Sequence, residues 1–179
     1  MRIAQVAPLV ESVPPKLYGG TERVVAWLVD ELVNLGHEVT LFASGDSKTS
    51  AQLHAVWPRA LRLGRPRTDP MVAQAALLEA VARHATDFDV IHMHIDWLHL
   101  PLLSRLGVPF LTTCHGRMDL PGFSDWSAAF PTRHSFRYRI ISASPLVRHT
   151  GWARFITACR LTCSALPSSP APTSPSSAD

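Results

Sequence analysis

Short apolar runs alternate with longer segments of helical periodicity over the first 125 residues of the chain. A strand buried on both faces of a parallel sheet is a nearly continuous apolar run, whereas a surface helix repeats apolar residues every three to four positions. By these criteria, the sequence predicts strands at 3–7, 39–43, 89–94 and 108–113, and helices at 19–35, 71–84 and 97–106.

The alternation of strands and helices predicts an α/β fold, a Rossmann-like open parallel sheet with helices on both faces. Gly36 is expected to end the first helix in a left-handed cap. The stretch 44–70 is predicted to be irregular, because three prolines and two glycines interrupt it. Residues 140–144 are compatible with one more strand.

The charge changes character after residue 125. Residues 1–125 hold 11 Lys and Arg against 13 Asp and Glu, whereas residues 126–179 hold six Arg and one acid, Asp179. The pI of 9.1 therefore reflects the C-terminal segment and gives little reason to expect nucleic-acid binding. Its last sixteen residues are rich in Ser and Pro, a composition typical of disorder. We predict a Rossmann-like domain over 1–130, followed by a disordered or out-of-frame tail over 131–179.

We expect neither a membrane-spanning segment nor a secretion signal in this sequence. No apolar run reaches the roughly 18 residues of a membrane span, and the N-terminal segment is too short and polar for a signal peptide. Three cysteines, Cys114, Cys159 and Cys163, are too few for a disulfide framework. We therefore expect a cytoplasmic protein.

Candidate functional residues follow three of the predicted strands, where open parallel sheets bind ligands. Gly19-Gly20 would let the backbone approach a phosphate at a helix N-terminus, or would serve only a tight turn. His115 could donate to a substrate hydroxyl or carbonyl, or merely cap its strand. Asp96 follows the third strand, and Arg117 could pair with phosphate or remain in solvent.

The same strand ends carry residues that suit two other chemistries. His92, His94, Asp96 and His99 could suggest a metal site, but no Cys or second carboxylate joins them at recognisable spacing. We therefore predict neither a metal nor another cofactor. A nucleophilic pair of Cys114 with His115 stays an alternative to a Cys114 that packs in the sheet.

Five segments together resemble the N-terminal domain of the family 4 glycosyltransferases, which are retaining, nucleotide-sugar-dependent enzymes of GT-B fold. These segments are MRIAQVAP at 1–8, YGGTERVV at 18–25, LGHEVTLFA at 35–43, FDVIHMH at 88–94 and GVPFLTTCHG at 107–116. The resemblance implies that a sugar passes from a nucleotide-diphosphate sugar to an acceptor with retention of configuration.

The resemblance also implies roles for particular residues. Gly19 and Gly20, together with Thr21, would line the cleft near the donor phosphate and the acceptor. His115 would face the transferred sugar as the catalytic residue. Asp96 and Arg117 would lie beside the same cleft and bind substrate.

A GT-B enzyme has a second Rossmann-like domain, which supplies most of the nucleotide-sugar site, and we expect no counterpart of it in this chain. The sequence therefore predicts a product truncated or frameshifted after about residue 130, nearly inactive by itself unless a separately encoded C-terminal domain joins it. Two alternatives stay open. One is a non-catalytic module that binds a nucleotide or sugar, and the other is a damaged gene product without function.

Overall fold

A computed structural model describes residues 1–116 in full and the backbone of residues 140–142. The elements in chain order are β1 (Arg2–Val6), α1 (Gly20–Asn34), β2 (Glu38–Ser44), β3 (Gln52–Trp57), α2 (Pro70–Arg83), a 3₁₀ turn (Ala85–Asp87), β4 (Val90–Met93), α3 (Leu100–Leu106), β5 (Phe110–Cys114) and β6 (Ile140–Ser142).

The six strands form one sheet in the order β3-β2-β1-β4-β5-β6, and every neighbouring pair is parallel. This is the strand order of a Rossmann-like fold, so the predicted architecture is confirmed. The chain runs outward from β1 to β3 and then returns to β4 on the other side of β1. The order thus reverses between β1 and β4, and a crevice is expected at their carboxyl ends.

Helices cover both faces of the sheet. The α1 helix lies on one face and α2 with α3 on the other, in two separate buried clusters. The first cluster includes Val25, Val29, Val39, Leu41 and Ala43. The second includes Leu77, Val81, Leu103, Ile91, Met93 and Phe110. Alternate residues of each strand point to opposite faces, which explains why β2 contributes Leu41 to one cluster and Phe42 to the other.

The first helix ends just before Gly36, as the sequence predicts, whereas α3 begins at Leu100 and not at the predicted Trp97. Gly36 has φ 82°, and its amide donates to the Val33 carbonyl while the His37 amide donates to the Leu32 carbonyl. This pair of bonds satisfies two carbonyls that the end of α1 would otherwise leave unpaired. At the N-terminus of α2, the Asp69 side chain accepts a hydrogen bond from the Met71 amide at 2.8 Å.

The prediction of an irregular stretch over 44–70 was wrong for Gln52–Trp57, which form β3. This strand lies at the sheet edge and pairs with β2 alone. Its side chains are half-buried or exposed rather than enclosed, as expected for an edge strand. The prolines and glycines on either side of it led to the prediction of an irregular stretch.

The additional strand that the sequence allows within residues 140–144 is confirmed, because the backbone of Ile140–Ser142 pairs with β5. The remainder of the predicted tail, and the proposed domain boundary at 130, lie outside the described residues. No helix within the described ranges has the length and apolar character required to cross a membrane.

Candidate functional site

Three neighbouring strands bring the candidate residues to one edge of the sheet. Val6 near the end of β1 is paired with Met93 at the end of β4, and Met93 is paired in turn with Thr112 of β5. The segments that follow these strands therefore leave the sheet at the carboxyl edge, at the reversal of strand order. Gly19, Asp96 and His115 belong to these segments.

Asp96 and His115 are in direct contact. The Asp96 Oδ1 atom accepts a hydrogen bond from the His115 backbone amide at 3.2 Å. Asp96 has φ 55°, a left-handed conformation that aspartate tolerates better than most residues but still at some cost. A strained residue that holds the loop after a neighbouring strand is typical of a functional site.

The His115 side chain belongs to a buried polar chain that crosses three strands. His115 Nε2 lies 2.8 Å from His94 Nδ1, and His94 Nε2 lies 3.0 Å from Gln5 Oε1. His94 and Gln5 are almost fully buried. Beside them, His92 Nε2 lies 2.8 Å from the Thr113 hydroxyl, and its ring is tilted by 39° against the His94 ring, with centroids 4.0 Å apart.

Burial keeps these imidazoles neutral at neutral pH. It lowers the pKa of His92 to about 3, with a further contribution from His115. Burial and the two neighbouring histidines lower the pKa of His94 well below its usual value. Burial also lowers the pKa of His115, although the Asp96 carboxylate opposes that shift. A neutral imidazole donates one hydrogen bond and accepts another, so the hydrogen bonds that link Gln5, His94 and His115 all run in one direction.

The two glycines before α1 differ in what surrounds them. A Cβ atom on Gly19 would lie 2.7 Å from Pro15 Cβ and 2.8 Å from Glu22 Oε2, so only glycine fits there. A Cβ atom on Gly20 would meet nothing within 4 Å. Close packing against Pro15 and Glu22 therefore favours glycine at position 19, whereas Gly20 borders open space at the helix N-terminus, beside half-buried Thr21. A role of either glycine in substrate binding stays a prediction.

Sequence reasoning missed a buried carboxylate pair next to these glycines. Glu11 and Glu22 are both buried, and Arg62 Nε lies 3.0 Å from Glu11 Oε1. Burial raises the pKa of Glu22, and the Glu11 charge adds to the rise against backbone hydrogen bonds from both residues. The sequence indicated only that Glu22 suits the helix dipole, because nothing local reveals that Glu11 lies beside it.

The structure gives no support to the metal and cysteine alternatives. His99 donates to or accepts from Thr112 at 2.6 Å, whereas His92 contacts Thr113 on the opposite face of β5. Within residues 1–116, no three His, Cys, Asp or Glu side chains could hold a metal ion together. Burial raises the pKa of the Cys114 thiol to about 11, with Asp96 contributing, which disfavours a thiolate. Arg117 lies outside the described residues.

The sequence model of Glycosyltransferase Family 4 matches residues 18–163. Because that match covers most of the chain, the chain belongs to this family. The match extends past residue 130, and the predicted boundary there stays a prediction.

Solved structures provide two further comparisons. AviGT4, described as a glycosyltransferase involved in Avilamycin A biosynthesis, is 30% identical over 65% of this chain and 32% of its own, with a TM-score of 0.40. MurG of Acinetobacter baumannii is 9% identical over 80% of this chain and 46% of its own, with a TM-score of 0.47. The chain thus spans less than half the length of either protein. No curated protein sequence matches it significantly.

Proposed function

We propose that the described domain is the acceptor-side half of a retaining glycosyltransferase that uses a nucleotide-diphosphate sugar. The observation that carries this proposal is the contact between Asp96 and His115 at the carboxyl edge of β4 and β5, in a chain of a glycosyltransferase family. Gly20 opens the helix that follows the neighbouring strand β1. In such sheets the reversal of strand order is where ligands bind.

Each group has a chemical task in this proposal. The open space at Gly20 lets a diphosphate approach the first amides of α1, which carry the positive end of the helix dipole. His115 contacts the transferred sugar, and Asp96 fixes the backbone from which His115 projects. Holding donor and acceptor together supplies the proximity that group transfer needs. A second domain, on this or a separate chain, completes the donor site.

The test measures binding by the full chain with UDP-glucose and GDP-mannose as probes, each against its nucleoside diphosphate. Binding raises the melting temperature in proportion to affinity and probe concentration. We expect a rise that His115→Ala reduces, while the matched control His37→Ala leaves it unchanged because His37 precedes β2 at the opposite edge. Equal loss in both variants, or no response to any sugar nucleotide, would contradict the proposed site.

Turnover separates an enzyme from a binding module. A sugar transferred by the chain together with a donor-side domain, with its anomeric configuration retained by NMR, supports catalysis. Binding without turnover in that mixture would instead support a non-catalytic nucleotide- or sugar-binding module.

A further inference from the structure

The buried polar chain between β1, β4 and β5 has a direction that can be read from its acceptor end. Gln5 Oε1 carries only lone pairs, so the His94 Nε2 atom 3.0 Å away must donate to it. A neutral imidazole bears a single proton, which leaves His94 Nδ1 as a bare acceptor. His115 Nε2, 2.8 Å from that atom, is therefore the donor of the next bond.

The same logic fixes the outer nitrogen of the last imidazole. Because the single proton of neutral His115 lies on Nε2, its Nδ1 atom carries a lone pair. Among the described residues, no hydrogen bond reaches that Nδ1 atom. We propose that Gln5, acting through His94, sets the tautomer of His115 so that Nδ1 accepts a hydrogen bond from a sugar hydroxyl at the carboxyl edge of the sheet.

This polarity has a consequence for substrate recognition. A bare nitrogen attracts a hydroxyl, which carries a proton, and repels a phosphate or carbonyl oxygen, which has only lone pairs. The first amides of α1 have the opposite character and suit the phosphate. In this proposal His115 accepts a hydrogen bond from the substrate through Nδ1, whereas the sequence led us to expect His115 to donate one. Gln5 and His94 are in this view positioning residues, because they act only through His115.

The tautomer is measured directly on the full chain with ¹⁵N-labelled histidine, by long-range ¹H–¹⁵N correlation spectra that separate protonated from bare ring nitrogens. His94→Ala and His115→Ala assign the signals. We expect both imidazoles to carry their proton on Nε2. In Gln5→Met, the loss of the acceptor should release the tautomer of His94 and therefore that of His115. The control Gln74→Met, in α2, should change neither.

A His115 proton on Nδ1 in the unaltered chain would overturn the inference, as would unchanged tautomers in Gln5→Met. If Gln5→Met does not fold, the spectrum of the unaltered chain still decides. The sugar part of the inference rests on the proposed function. A bound sugar nucleotide should shift His115 Nδ1 where the nucleoside diphosphate does not, and binding without that shift would overturn it. Failure of both probes to bind would contradict the proposed function alone, since the tautomer is measured without ligand.

Discussion

The two adjacent glycines before α1 allow a matched experiment, because the structure gives them opposite surroundings. In Gly19→Ala, the new methyl group would lie 2.7 Å from Pro15 Cβ and 2.8 Å from Glu22 Oε2. Carbon contacts are normally 3.5–4.0 Å, about an ångström longer. One neighbour is part of a proline ring and the other is a buried carboxylate held by backbone amides, so neither can move freely.

Overpacking of this kind costs about 1–3 kcal/mol of unfolding free energy. Gly20→Ala places its methyl group where nothing lies within 4 Å, in a residue that is already helical. It should therefore stabilise the chain by about 0.4–1 kcal/mol through the lower entropy of the unfolded state. The two variants should thus differ by roughly 1.5 kcal/mol or more, with opposite signs relative to the unaltered chain.

Equilibrium urea unfolding followed by circular dichroism measures this difference, provided that both variants unfold with the same dependence on urea. Gly19→Ala with an unchanged midpoint would refute the packing argument. A second measurement links the pair to function. If the space beside Gly20 receives a phosphate, Gly20→Ala should weaken binding of UDP-glucose or GDP-mannose while the fold becomes more stable. A more stable Gly20→Ala that binds as tightly as the unaltered chain would show that no ligand enters this space.

Three further predictions concern titrating groups. Because the folded pKa of Glu22 is raised, the stability that it contributes is complete below about pH 4.5 and is lost as pH rises through the folded value. Glu22→Gln should thus be more stable than the unaltered chain at pH 7 and lose that advantage near pH 4, as urea midpoints would show. Burial lowers the pKa of both His92 and His99 to about 3, so the stability that they contribute is complete above pH 6.5. As pH falls below 6.5, each histidine loses about 1.4 kcal/mol of unfolding free energy per pH unit. His99→Leu should make the unfolding free energy depend less steeply on pH, and an unchanged dependence would contradict the burial argument. The Cys114 thiol, with its pKa near 11, should react with iodoacetamide at pH 7.5 only after urea unfolding, and mass spectrometry of its peptide would detect any earlier reaction.

The features that the sequence predicted correctly depend mostly on residues that are adjacent in the sequence. The inner strand β2 is buried on both faces and therefore contains a continuous apolar run, Leu41-Phe42-Ala43. Glycine is needed at position 36 because the chain adopts a positive φ there, at the end of α1. Strand order placed Asp96 and His115 at one edge, and the structure brings them into contact.

What sequence could not predict depends on contacts between distant residues. Gln5 and His94 are 89 positions apart, and their hydrogen bond depends on the register of β1 with β4. Glu11 and Arg62 pair across loops that carry no periodic signal. The edge strand β3 escaped detection for another reason, since its four apolar residues lie between the prolines and glycines that indicated an irregular stretch.

The buried histidines carry a thermodynamic cost that a purely structural sheet would avoid. A buried polar group is costly unless it is hydrogen-bonded, and apolar residues of similar shape can replace a satisfied pair at little loss. Gln5, His92 and His94 nonetheless occupy central strand positions where apolar side chains would suit the sheet. The presence of these buried polar residues is explained if they serve to hold one outward-facing atom, Nδ1 of His115, in a fixed orientation. A satisfied polar chain holds its members in one orientation, and here the chain ends on His115 at the carboxyl edge.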